Sequence, residues 1–131
     1  MLLVNIDVPD IERAVTFYTR AFGLTVGRRM GADFVELLGG SSPIYLLKKA
    51  EGSEAAASAT RTYARHWSPV HLDFVVDDID EAVARVLAAG ATAERPATQH
   101  AYGKLALFAD PFGHGFCLLQ LTGRGYDEIA D

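Results

Sequence analysis

A single cysteine, Cys117, leaves no partner for an intrachain disulfide and fits a reducing compartment. No apolar run approaches the roughly 20 residues that a membrane-spanning helix requires, so no membrane partner is expected. Basic runs are missing too, and with a formal charge of −5 nucleic acid is a poor candidate partner. The chain enters a strand-like alternation directly after Met1, with no basic leader region and no cleavage pattern, and a cytoplasmic location is expected. What the chain does have is apolar substance. Half of its 131 residues are hydrophobic, enough for one compact domain or two small modules sharing a core.

A repeat organises that substance. Leu2 to Val15 and Val70 to Val83 superpose with Val8 on Val76, Asp10 on Asp78, Ile11 on Ile79, Ala14 on Ala82 and Val15 on Val83. Each copy reads as a strand, a turn and a capped helix start. In the first, Val4, Ile6 and Val8 alternate with Leu3, Asn5 and Asp7. Asp10 then stands at the N-cap, and Ile11, Ala14, Val15, Tyr18, Ala21 and Phe22 recur at helical spacing up to Gly23. Strands are expected at Thr25–Met30, Phe34–Leu38 and Ile44–Lys48, giving β-α-β-β-β.

In the second copy, Asp78 with Glu81 three residues on predicts a capping box, and Gly90 ends the helix. Strands are expected at Ala91–Arg95, Lys104–Ala109 and Gly115–Leu121, with a loop over Gln99 to Gly103 and a turn over Asp110 to His114. Glu51 to Thr62, rich in Ala, Ser and Glu, is either a short helix or a linker. The expected organisation is one domain over 1–131: module one 1–50, joint 51–68, module two 69–122 and tail 123–131.

Two such modules, the second closing on Asp110-Pro111-Phe112-Gly113-His114-Gly115-Phe116, resemble the vicinal oxygen chelate superfamily. That group includes glyoxalase I, bleomycin-resistance proteins, extradiol dioxygenases and methylmalonyl-CoA epimerase. The resemblance implies an α+β fold in which paired half-barrel sheets enclose a cleft, within one chain or across a homodimer. It also implies, for the enzymes, one divalent metal on four side chains. By position these are Leu3, Tyr45, His71 and Cys117, where the family pattern wants His, Glu or Gln, His and Glu. Only His71 matches, so the standard metal is not expected.

His71 and Asp73 alternate away from Leu72, Phe74 and Val76, which places them on the cleft side. The competing reading of His71 is a core histidine satisfied by a neighbour. Asp7 and Asp73 are candidate acid–base carboxylates, since like charges confined together push one pKa upward; the plainer reading is two solvated strand-end carboxylates. Asn5, Tyr45, Trp67, His71, Tyr102 and Cys117 are candidate ligand-binding residues, with Phe112 a further aromatic. Cys117 among Phe116, Leu118 and Leu119 reads as an inert buried thiol. If a metal is present, Glu36 or Asp73 is its second ligand beside His71, or His66 and His100 supply the missing donors. His66, His100 and His114 otherwise belong to loops and turns.

The expected function is binding of a small organic molecule in an apolar, aromatic cleft with no cofactor. The first alternative is a lyase, isomerase or dioxygenase using Zn, Ni, Mn or Fe on a drifted ligand set. The second is a metal-free acid–base enzyme.

Overall fold

The computed structural model describes all 131 residues. Both copies of the repeat fold to one plan. The first runs β1 (Val4–Val8), α1 (Ile11–Phe22), β2 (Thr25–Arg29), β3 (Phe34–Leu38) and β4 (Ile44–Lys48). The second runs β5 (Leu72–Val75), α2 (Ile79–Ala89), β6 (Thr92–His100), β7 (Gly103–Ala109) and β8 (Gly115–Leu121). Each module is a four-stranded mixed sheet, ordered β1-β4-β3-β2 and β5-β8-β7-β6. In each, the first strand lies parallel to the last and the helix covers one face.

The helices start where the sequence supplies a carboxylate for their free amides. Asp10 accepts from the Arg13 amide at 3.0 Å, and Asp78 accepts from those of Asp80 and Glu81. Only half of the expected capping box forms. Glu81 turns outward to Arg85, one helical turn on, instead of back to the cap. Gly23 and Gly90 close the helices in the left-handed conformation.

One core serves both modules. Phe17 and Phe22 of α1 pack against Phe116 of β8, and Phe22 stacks on Phe74 of β5. Tyr18 of α1 donates to Asp110 in the closing turn of module two at 2.6 Å. That buried carboxylate also accepts from the Phe112 and His114 amides, which fixes the turn. Phe112 itself is core, with Arg13 over its ring, and not a lining of the cleft.

One expectation about connections is corrected, and one open between two readings is decided. β6 runs to His100, so the Gln99–Gly103 loop shrinks to Ala101 and Tyr102. Pro96 masked this strand, because proline gives no ladder N–H. The register shifts on either side of Arg95 absorb it on this edge strand. The stretch from Glu51 to Thr62 contains no helix. It is an irregular loop with one bridge between Glu54 and Thr60, pinned by Arg61 through Ser53, the Glu54 carbonyl and Asp7. After β8 a single 3₁₀ turn, Gly125–Glu128, ends the ordered elements. No helix is long and apolar enough to cross a membrane.

Candidate functional site

Alternation along the strands sends one set of side chains to the helix and the other to the uncovered face of each sheet. On β3, Val35 and Leu37 are buried under α1, which turns Glu36 to the opposite face. On β4, Ile44 and Leu46 go to the core and Tyr45 joins Glu36, its register partner. Arg28 on β2 completes the group. Its Nε and Nη2 donate to Glu36 at 3.0 and 2.5 Å, its backbone amide at 3.1 Å, and Tyr45 Oη donates to the same carboxylate at 2.8 Å. The bonds from Arg28 and then Tyr45 hold the Glu36 carboxyl down to about 2, while the bond to Glu36, and then burial, push the Tyr45 phenol up. Gly27 permits the approach, since a Cβ there would lie 2.6 Å from Glu36 Oε1. The face of module one is thus closed on itself.

The same face of module two is open. Asp73 on β5 sits opposite Cys117 on β8, and His71 precedes β5 on the same side. His71 Nε2 lies 3.2 Å from Asp73 Oδ1, and the donor atoms of His71, Asp73 and Cys117 all fall within 4.8 Å of one another. Burial, and then the charge and hydrogen bond of Asp73, push the Cys117 thiol up to about 11. At neutral pH it stays protonated and is not a nucleophile. Beside this trio is a cavity of about 360 Å³ lined by Trp67, His71, Arg95, Leu105, Leu107 and Cys117 among others.

The candidate residues therefore disperse. Trp67, His71 and Cys117 share one cavity. Asn5 lines a second, of about 280 Å³, together with His66, His71 and His114. Glu36 and Tyr45 line neither, and in this chain Glu36 meets Arg28 instead of His71. Tyr102 and His100 stack on each other at the β6–β7 turn, 5.2 Å between ring centres. Asp7 and Asp73 do not meet either: Asp7 holds Arg61 at 2.8 Å and Asp73 holds His71. The register shows why. Asn5 pairs with Tyr45 as Asp73 pairs with Cys117, so the counterpart of Asp73 in the repeat is Asn5, and Asp7 corresponds to Val75.

A four-ligand ion does not fit the positions implied by the resemblance. Leu3 offers no lone pair, and the Tyr45 phenol is committed to Glu36. What sequence reasoning missed were the arginines: Arg28, Arg61, Arg65 and Arg95. The repeat gave no sign of them, because none lies in its aligned halves.

The paired βαβββ modules, together with a family-model match over most of the chain, place the protein in the vicinal oxygen chelate superfamily. The model for the glyoxalase-like domain matches residues 3–119, and the chain belongs to that family. Among solved structures it is similar to a glyoxalase/bleomycin resistance protein/dioxygenase family enzyme from Burkholderia phytofirmans PsJN. Identity is 25%, the TM-score 0.71, and the match covers 92% of this chain and 97% of that one. TioX from Micromonospora sp. ML1 is 23% identical with a TM-score of 0.66, over 94% and 97% of the two chains. A mutant of the fosfomycin resistance protein FosX from Listeria monocytogenes, complexed with Mn(II) and 1S,2S-dihydroxypropylphosphonic acid, is 18% identical. Its TM-score is 0.69, over 93% of this chain and 90% of that one. No curated protein matches the sequence.

Proposed function

We propose that the protein binds a small organic molecule on the open face of its second sheet, without the four-ligand metal of its enzymatic relatives. One observation carries this: the cavity beside Cys117 has an apolar floor of Leu105 and Leu107 and a Trp67 wall, with Arg65, Ser68, His71, Glu94 and Arg95 as its polar lining. Apolar burial supplies affinity in such a site and a few polar groups fix orientation. Arg95 and His71 are the groups placed to do so, which favours a ligand with an apolar body and an anionic end. The working form is taken to be a homodimer in which the closed face of one copy covers the open face of the other. Its support is that neither cavity at His71 includes Glu36 or Tyr45.

Trp67, the only tryptophan, is 83% exposed and reports on its own cavity. The test is titration with 8-anilinonaphthalene-1-sulfonate, an apolar anion, in EDTA. A saturable shift of Trp67 emission at one probe per chain is expected, at least tenfold weaker in Leu107→Asp. The same sample should sediment with the mass of two chains. Non-saturable binding, or binding indifferent to Leu107→Asp, sinks the reading.

A second reading rests on the closeness of the His71, Asp73 and Cys117 donors: a divalent-metal lyase, isomerase or dioxygenase. Elemental analysis finding one equivalent of metal per chain, removed by His71→Ala, would favour it.

A further inference from the structure

Two histidines outside both sheet faces lie against each other. His66 comes from the joint and His114 from the closing turn of module two. Their rings stand 5.2 Å apart, nearly perpendicular. His66 Nδ1 is 3.1 Å from the Ala64 carbonyl oxygen, and His114 Nε2 is 2.7 Å from that of Asp7. A carbonyl oxygen only accepts, so each of these nitrogens carries its ring's hydrogen. A neutral imidazole has one N–H. The remaining nitrogens, His66 Nε2 and His114 Nδ1, are therefore bare lone pairs, and they are the two that face each other at 3.4 Å.

Two opposed lone pairs repel, and a cation between them removes the repulsion. An ion at roughly 2.0–2.1 Å from nitrogens 3.4 Å apart sees them at about 110°, the tetrahedral angle. A backbone carbonyl on the far nitrogen is also how metal-binding imidazoles are oriented. Both rings line the cavity of about 280 Å³, where water can fill the remaining positions.

We propose that His66 and His114 form a binding site for a borderline divalent cation of the Zn²⁺ or Ni²⁺ class, apart from the His71–Asp73–Cys117 trio. Imidazole donors select such ions over Mg²⁺ or Ca²⁺. The ion would clip the joint to the closing turn, and through the Asp7 carbonyl to the end of β1. The site is structural. It brings together three segments that chain connectivity leaves far apart.

The test is calorimetric titration of ZnCl₂ into the full metal-free chain carrying His71→Ala and Cys117→Ser, which disables the trio. One equivalent per chain is expected, with the unfolding midpoint raised by Zn²⁺ and unmoved by Mg²⁺. Adding His66→Ala should weaken uptake at least 100-fold and abolish the midpoint rise. His114→Gln should do the same, but His114 also holds the β1 carbonyl, so His66→Ala in the joint decides. No uptake in the His71→Ala/Cys117→Ser chain means that a shared proton bridges the rings, and overturns the site. Uptake that survives His66→Ala overturns it equally. Either outcome leaves the Trp67 probe titration untouched, so the two proposals fail separately.

Discussion

The two sheets share a topology and differ in what their uncovered faces do. In module one, Arg28, Glu36 and Tyr45 satisfy one another, and Glu36 is 5% exposed although it points away from the core. In module two, the equivalent surface offers a histidine, a carboxylate and a thiol beside an apolar cavity. A repeated backbone plan positions side chains on the same faces of both sheets, and residue identity then decides whether a face is closed or receptive. Fold is shared here and the site is not.

The closing turns give the largest contrast. Gly113 in module two has φ 83, and a Cβ there would lie 2.4 Å from the Ala64 carbonyl oxygen in the joint. The hairpin turn of module one has no such partner; a Cβ on Gly40 would meet nothing nearer than 3.6 Å. Gly113→Ala combines a left-handed backbone with a backbone clash and is expected to cost about 3 kcal/mol. Gly40→Ala should stay within about 0.5 kcal/mol. Urea denaturation of the two variants checks the pair, and equal losses would mean that the joint does not seat on module two.

Next in size is a difference in pH response. Glu36 has its pKa lowered from 4.5 to about 2, so its stabilising contribution is present above pH 4.5 and is lost as pH falls through 2. Cys117 is raised from 9.0 to about 11, so its contribution is present below pH 9 and is lost as pH rises through 11. Unfolding midpoints measured across that range should show Glu36→Gln converging on wild type only at the acid end. Cys117→Ala should converge only at the alkaline end. One substitution flattening both arms would break the distinction between the faces.

What the sequence disclosed were features that depend on neighbours in the chain. Asp10 and Asp78 reveal caps, Gly23 and Gly90 reveal stops, and Asp110 with Gly113 reveals a turn, because each acts within four residues of itself. The alternation that put His71 and Asp73 opposite Leu72 and Phe74 is equally local. Contacts across the fold were not legible. Arg61 reaches Asp7 over 54 positions and His66 reaches His114 over 48, and nothing in either segment marks its partner. Register, by contrast, was legible in the repeat: setting Val8 on Val76 already places Asn5 on Asp73 and Asp7 on Val75, as the strand pairing has them.

The smallest expected effect separates the two helices. Removing an N-cap side chain costs about 0.5–2 kcal/mol, and the position in that range depends on what else holds the first turn. Asp10 takes one amide, and α1 buries Ile11, Ala14, Val15, Phe17, Tyr18 and Ala21, so packing retains the helix when its cap is lost. Asp78 takes two amides, and α2 buries only Ile79 and Val86. Asp78→Ala is therefore expected to cost about 1.5 kcal/mol and Asp10→Ala about 0.7 kcal/mol. Amide exchange sharpens the point. In Asp78→Ala the Asp80 and Glu81 amides should exchange faster while the Ile79 amide, which donates to Gln120 at 2.9 Å, stays protected. Loss of protection at Ile79 as well would mean that the cap, rather than β8, docks the start of α2 on its sheet.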